Sequence, residues 1–563
     1  MFFSPVAEKS FKVRSLYAAC YLLLCVGAAT ILAPLLIMAT GSVTPSLTQK
    51  IRFIPGYLAN DTAFWRDYLA SKYNQSIPNL RMAWGDPAAT AEFAELPAAY
   101  DGEKVALWER FLAETGWQDA AQSCGFFGTA RLPQYNQRNF RRWLLARHGG
   151  GLDAVNRALG TGFPSRNAII APNMTVNGPN FEMTPLAREF FVFLRESVPD
   201  SQRITMNCGG YYRAVFLPQV LGRDVSAFNQ KYGTHHASYA EVPFPATVPA
   251  VAADQWHFFV SRILRPNLVD FTESGSARFQ ESGLPRDVFI RQRARPEDLR
   301  VRSLDVRFTE WAAERGHSLI AIPQKDIDCH SFHREKSRWR AVFLTQNYAV
   351  VVDEILLHGR AATNTLVLVI LSVAGTLIVN PMAAYALSRY RPKLTYQVIL
   401  FCLLTVALPG EVTMIPIFLQ LKEWGLLNTF GALVLPGLAN GFSIFLLKGF
   451  FDSLPRDLYD AAEIDGASEA TIFWLITMNL SRPILAVLAL GAFTSAYGTF
   501  MYALILCPDP KMWTLMVYMF QLMQNVNPPI LYAALILISI PTILIFVFCQ
   551  NIILRGIVVP AEK

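Results

Sequence analysis

Apolar residues gather into six runs, each about twenty residues long and so long enough to cross a bilayer as a helix. They are Leu16–Ala39, Thr363–Leu387, Tyr396–Leu421, Phe430–Phe450, Pro483–Leu506 and Ile530–Ile553. The polar stretches between them are very unequal. Most are short, but about 320 residues, from Gly41 to about Ala361, separate the first run from the second. The pattern predicts an α-helical membrane protein with six transmembrane helices and a large domain outside the bilayer. The first run lacks a small-x-small cleavage site ahead of a polar mature start, so it reads as a retained anchor rather than a removed signal peptide.

Lysine and arginine beside the runs set the orientation, because basic loops stay on the cytoplasmic side. Lys9, Lys12 and Arg14 precede the first run, and Arg389, Arg391 and Lys393 follow the second. Arg456 and Arg482 flank the polar loop before the fifth, and Arg555 and Lys563 follow the sixth. The opposite short loops carry only Lys422 and Lys511. Both termini are therefore expected in the cytoplasm and residues 41–361 outside. The 563 residues are 52% hydrophobic, too apolar for an ordinary soluble chain of this length. The net charge of +7 is spread over this topology without a basic, aromatic-laced stripe, which gives no nucleic-acid signal.

The polar loop before the fifth run reads "LPRDLYDAAEIDGASEATIFWLITMNLSRP". A segment this charged cannot lie in hydrocarbon. It offers two short helical pieces broken at Gly466, with small residues Ala461 and Ala462 on the first. This resembles the "EAA" loop of ABC importer permeases, whose pattern is roughly E-A-A-x3-G. Ala461, Ala462 and Gly466 match it. Asp460 replaces the glutamate, and Asn479 stands where a later proline usually falls. Further stretches resemble the carbohydrate-importer, maltose-transporter type of permease in the binding-protein-dependent inner-membrane component family: "NPMAAYALSRYRPK", "LPGEVTMIPIFLQLKEWGLLNTFGALVLPG" and "GTFMYALILCPDPKMWTL". The resemblance covers about Thr363 to Lys563 and the first helix. It implies that Asp460, Ala461, Ala462, Asp465 and Gly466 dock a separate ATPase. It also implies ABC ATPase subunits, a second permease subunit and an extracytoplasmic solute-binding protein as partners. No "GxxxxGK[ST]" occurs, so no P-loop is expected here. The expectation is no cofactor in this chain, with ATP and Mg in the partner ATPase, and alternating access as the mechanism.

Candidates for the transport pathway are polar groups inside the runs. Glu411 follows Pro409-Gly410, and an acid in a membrane segment is a functional hypothesis by default. Asn440, Gly441 and Ser443 form a polar patch in the fourth run, and Thr494, Ser495, Tyr497 and Tyr502 add hydroxyls in the fifth. Sugar recognition needs such hydrogen-bonding groups and ring faces. Packing between helices uses the same residue types, and that alternative stays open.

The 41–361 region repeats. Trp65-x-x-Tyr68-Leu69-x-x-Lys72-Tyr73 recurs as Phe140-x-x-Trp143-Leu144-x-x-Arg147-His148, shifted by 75 positions. Each copy reaches a glycine twelve residues on, Gly85 and Gly160, and "FNQKYGT" adds Gly233. The spacing predicts a mainly helical domain of degenerate modules, each with a second short helix that ends at the glycine. "FRRWLLARHGGGLDAVNRALGT" also resembles a helical segment of β-galactosidase-like glycoside hydrolases, but no carboxylate pair for such chemistry stands out. All eight histidines lie in this region. Cys329-His330-x-x-His333 has half of a zinc-ligand spacing without a second pair, so no metal site is expected. Cys124, Cys208 and Cys329 permit at most one disulfide among them. The competing reading of the whole chain is a membrane-anchored glycan-binding or glycan-hydrolysing protein, or an ABC permease for another solute.

Overall fold

Residues Phe11–Ser42 form one continuous helix with apolar side chains on every side; Leu22, Leu23, Leu24 and Ile31 all stand exposed. A helix that is apolar all round is built to meet lipid or another protein. The structure, a computed structural model, describes residues 11–45, 53–116, 121–124, 135–172, 182–353, 360–407 and 409–556. Lys9 and Lys563 lie outside the described residues, as do the side chains of Lys12, Arg14, Cys124, Glu411 and Arg555. The chain separates into two units, Met1–Val350 with Asn527–Pro529, and Val351–Val526 with Ile530–Lys563.

In the first unit, the end of the first helix is closed from far along the sequence. The last carbonyls of a helix have no intrahelical partner. Here the buried Asn347 amide donates to the carbonyls of Ser42 and Thr44, both at 2.7 Å. Tyr348 and Ser42 hydroxyls pair at 2.7 Å, and Tyr57 donates to the Val43 carbonyl at 2.9 Å. The start and the end of the long insertion thus meet at one point.

Among the described residues the insertion is helical, with two short antiparallel ribbons: Gln122–Cys124 with Arg203–Thr205, and Val269–Phe271 with Leu299–Val301. The repeat seen in the sequence has a structural counterpart. Helix Asp61–Lys72 leads to Ile77–Trp84 and Gly85, and helix Tyr135–Arg147 leads to Leu152–Leu159 and Gly160. Helix Ser226–Tyr232 leads to Gly233. The three glycines have φ of 67°, 64° and 65°, the left-handed conformation that ends helices most readily without a Cβ. The last two copies also share a loop clamp. Asn156 holds Thr161 and both backbone groups of Phe163; Asn229 holds Thr234 and both backbone groups of His236.

Aromatic rings fill the cores. Trp65 stacks on Tyr68 at 5.5 Å and meets Phe332 edge-on at 5.3 Å; Phe140 meets Phe190 edge-on at 5.2 Å. At the edge of the first cluster a fully buried carboxylate, Asp328, is saturated with donors. Lys72 Nζ and Gln324 Nε2 bond one oxygen at 2.8 Å each, and Tyr73 (2.7 Å) and Trp84 Nε1 (2.8 Å) bond the other. This ties the first module to helix Gln324–Val351. Cys208 and Cys329 are buried free thiols, not bridged to each other, and burial raises the pKa of both. His333 Nδ1 contacts the Cys329 carbonyl at 2.8 Å, and His330 contacts the Tyr100 hydroxyl at 3.0 Å. Among the described residues no group of three or more potential ligands is placed to hold a metal.

The second unit contains helices Ala361–Arg389 and Pro528–Gly556, each long and apolar enough to span a membrane, as is the first helix. The other apolar runs are not single continuous helices among the described residues. The third divides at Pro409 into Thr395–Ala407 and Gly410–Glu423. The fourth bends by 48° between Phe430–Gly437 and Gly441–Asp452. The fifth ends its helix at Tyr497, ahead of a separate Met501–Leu506. Hydropathy sums the side chains and is blind to prolines and caps that interrupt the hydrogen-bond ladder. Among the described residues three continuous helices are long and apolar enough to span, and up to five segments qualify if each bent pair counts as one. An eleven-residue helix, Leu515–Asn525, was not marked as a span by the run pattern.

Replacing Asp328 with Ala strands a buried lysine. We expect this to destabilise the first unit by about 3–5 kcal/mol, read as a lower denaturation midpoint of the purified chain followed by tryptophan emission. An unchanged midpoint would contradict the network's structural role.

Candidate functional site

The polar loop folds as a helical hairpin. Its first arm is helix Arg456–Ile464, which starts after Pro455. The arm closes with two bonds, Gly466 N–H to the Glu463 carbonyl and Ala467 N–H to the Ala462 carbonyl, both at 3.0 Å. This is the double closure of a Schellman turn, and it requires the φ of +80° that Gly466 adopts. Ser468 then caps the second arm by accepting from Thr471 N–H. That arm runs as a helix over Glu469–Leu480, with a π-helical stretch at Ile472–Thr477, and meets helix Arg482–Tyr497 at 82°.

Each of the five loop residues has a definite place. Asp460, Ala461, Asp465 and Gly466 are exposed. Ala462 is not: it is 9% exposed and packs with Tyr459, Phe451, Leu447 and Ile472. The expected outward pair of alanines is therefore split, one outward and one inward. Tyr459 and Ala462, three apart, share the inward face. The outward surface instead carries Leu458 at 44% exposure and Ile464 at 86%. The family pattern did not single out these two apolar residues; the offset of Ile464 from Tyr459 and Ala462 on a 3.6-residue period would have placed it outside, whereas Leu458, four residues before Ala462, lies at the edge of the inward face.

Both arms are held by the end of one long helix. Tyr385 donates to Glu469 on the second arm at 2.7 Å and meets Phe473 edge-on at 5.2 Å. One turn later, Arg389 pairs with Glu463 on the first arm, lies 4.0 Å from Asp460 and covers the Tyr459 ring at 5.2 Å. A hydrogen bond to a charged group of this kind contributes about 1.5–3 kcal/mol.

The same helix lines a cavity of about 410 Å³ with Leu368, Ser372 and Thr376. Asn440, Ser443, Ser495 and Thr499 line it from the fourth and fifth segments. Three of the expected pathway residues, Asn440, Ser443 and Ser495, thus come together. Asn440 is also a helix cap: its side chain accepts from Ser443 N–H at 2.9 Å, and its own N–H donates to Asn380 at 2.8 Å. These bonds satisfy backbone groups at the bend, as a break inside a membrane segment requires. Next to it, a Cβ on Gly441 would fall 2.2 Å from the Cys402 carbonyl, so only glycine lets the two backbones approach. Tyr497 is placed elsewhere: it is buried and donates to the Ile538 carbonyl at 2.6 Å, locking two helices together. Glu411 lies in the first turn of helix Gly410–Glu423, and its side chain falls outside the described residues. Ser372, Thr376 and Thr499 were missed from sequence, although the four-residue spacing of Ser372 and Thr376 in an apolar run was a signal.

This region has known relatives. The family model of the binding-protein-dependent transport system inner membrane component matches residues 363–559. Over 206 residues the chain is 33% identical to the galactooligosaccharides transport system permease protein GanQ of Bacillus subtilis (strain 168), covering 36% of this chain and 72% of GanQ. It is 28% identical to the arabinooligosaccharides transport system permease protein AraQ of Halalkalibacterium halodurans, covering 38% of this chain and 78% of AraQ. Protein LplC of Bacillus subtilis (strain 168) is 34% identical over 27% of this chain, which spans 56% of LplC. The chain belongs to the binding-protein-dependent transport system inner membrane component family. It is a multi-pass membrane protein and a transport permease rather than an enzyme, and the family works with ATPase and binding-protein partners. The family match begins at 363, past the insertion.

Gly466→Val places a β-branched residue at a left-handed φ and costs about 1–2 kcal/mol. We expect the Ala467 amide to exchange roughly tenfold faster with deuterium, while amides in helix Ala361–Arg389 are unaffected. Unchanged protection at Ala467 would contradict the turn assignment.

Proposed function

We propose that this chain is the permease subunit of an ATP-driven ABC importer that moves an oligosaccharide across the bacterial cytoplasmic membrane. The observation that carries the reading is the hairpin. It presents Leu458, Ala461, Ile464 and Gly466 outward while both its arms are tied to the helix that lines the cavity. The names of GanQ and AraQ support a carbohydrate as cargo. In this reading six spans cross the bilayer, both termini are cytoplasmic, and residues 41–361 form an extracytoplasmic domain. The hairpin faces the cytoplasm, where basic residues flank it. Asp460, Ala461, Asp465 and Gly466 face an ABC ATPase, and Ala462 fixes the hairpin's seat. ATP and Mg bind in that ATPase. A second permease subunit completes the pathway, and a solute-binding protein delivers the cargo. Asn440 and Ser443 contact the sugar as it passes, with Glu411 on the same route. Tyr497 holds helices together.

The mechanism follows from rigidity. ATP binding draws the two ATPase copies together, and the hairpin moves with its ATPase. Tyr385 and Arg389 transmit that movement to helix Ala361–Arg389, so the cavity wall turns with the hairpin.

Ile464→Asp puts a charge at the centre of the proposed contact, where a buried apolar anchor contributes about 2 kcal/mol or more. Co-purification of the ATPase with the chain is expected to fall at least tenfold, and ATP-dependent uptake of labelled oligosaccharide to fall with it, while membrane insertion is retained. Undiminished co-purification would refute the docking role.

A further inference from the structure

The insertion carries an open cavity of about 540 Å³ beside the ribbon Val269–Phe271 and Leu299–Val301. Four guanidinium groups line it, from Arg286, Arg300, Arg302 and Arg307, against two carboxylates, Asp270 and Glu310. The ribbon register sets Asp270 opposite Arg300. Asp270 is shared: Arg286 approaches one oxygen at 2.8 Å and Arg302 the other at 3.5 Å. Arg300 pairs with Glu310 at 3.1 Å. All these pairs are well exposed, and exposed pairs hold each other by about 0–1 kcal/mol. Arg307 is different. It is half-buried on helix Leu304–Glu314, lines the cavity, and among the described residues its side chain has no carboxylate or carbonyl partner. The lining therefore has two positive charges in excess, one of them partly desolvated and unpaired.

The remaining lining adds a hydroxyl from Ser276 and the edge of Phe271, whose ring is stacked on Phe279 at 4.7 Å, met edge-on by Phe289 at 5.4 Å and covered by the Arg286 guanidinium at 5.0 Å. Its volume of about 540 Å³ falls within the range of small-molecule sites, and the cavity is open to solvent. Planar guanidinium groups match carboxylates two bonds at a time, which selects a carboxylate over a neutral hydroxyl.

We propose that this cavity is a binding subsite for acidic oligosaccharide, a chain of sugar rings bearing carboxylates, with Arg307 as its principal anion anchor and Arg302 as a second contact. This rests on the reading above that the protein handles carbohydrate. It adds that the insertion itself holds cargo of one charge class, and that Asp270 gives up its exposed pairing with Arg302 as the ligand carboxylate arrives.

The test uses the purified full chain in detergent and measures thermophoresis with α-1,4-linked trigalacturonate and with neutral maltotriose. Trigalacturonate is expected to bind, with an affinity that falls as salt is raised. Arg307→Gln is expected to weaken it at least tenfold and Arg302→Gln about threefold, with melting temperatures unchanged; maltotriose is expected not to bind. The proposal is overturned if trigalacturonate fails to bind, if both substitutions leave its affinity unchanged, if maltotriose binds equally well, or if only an acidic peptide such as tetraglutamate binds. Co-purification of the ATPase is scored on the same preparations. If it persists while trigalacturonate fails to bind, the subsite is wrong and the transporter reading stands; if it fails in the unaltered chain, the transporter reading itself is lost.

Discussion

One helix organises the second unit. Along helix Ala361–Arg389, Leu368, Ser372, Thr376 and Asn380 follow at four-residue intervals, and Tyr385 and Arg389, one turn apart, begin five residues after Asn380 on another face. The upper three line the cavity, Asn380 satisfies the backbone at the bend of the fourth segment, and the last two grip the two arms of the hairpin. Residues four apart on a helix lie nearly above one another, so each group forms its own row on the one helix. In the proposed reading this helix carries a displacement of the hairpin to the cavity wall. The polar breaks near it are consistent with the same constraint: non-helical backbone at membrane depth is tolerated only where its groups find partners, and Asn440 and Asn380 supply them.

The insertion obeys a different constraint. A folded domain can enter a membrane protein between two spans if its ends lie together. Asn347, bonded to Ser42 and Thr44, brings the ends together in the first unit. Between those ends the chain uses one device repeatedly, a short helix stopped by a left-handed glycine, with the aromatic residues of each copy packed against other helices of the insertion. The Asp328 network then joins the first copy to the returning helix. A buried charge with four donors is no strong source of stability, but losing any one partner is costly, and this favours a single arrangement.

Several of these features were legible in the sequence. The hairpin could be read because Gly466 and the small residues before it are local signals of a turn and of a close approach. The module boundaries could be read because glycine is the residue that most easily ends a helix in the left-handed conformation. What escaped depends on partners distant in sequence. That Ala462 faces inward and Ala461 outward follows from what packs beneath the arm, which no motif records. The hydroxyl of Tyr497 looked available for a ligand, yet a carbonyl 41 residues away takes it. Asn440 was recognised as polar but not as a cap, although its capping partner Ser443 is three residues on; its contact with Asn380, 60 residues earlier, lay beyond any local pattern. The breaks in the third and fourth runs are invisible to hydropathy averaging, because Pro409, Pro436 and Asn440 act on the backbone. The cavity's hydroxyls on the second span were hidden among apolar neighbours and became evident only once helix packing gathered them.

The account stands on the hairpin being held from the cytoplasmic side. Asp465→Cys places a thiol at its exposed tip, where a membrane-impermeant maleimide can report the side, with the labelled peptide identified by mass spectrometry. Labelling in inside-out vesicles alone, slowed when the ATPase is bound, is the predicted result. Labelling of the same peptide in sealed right-side-out vesicles would contradict it.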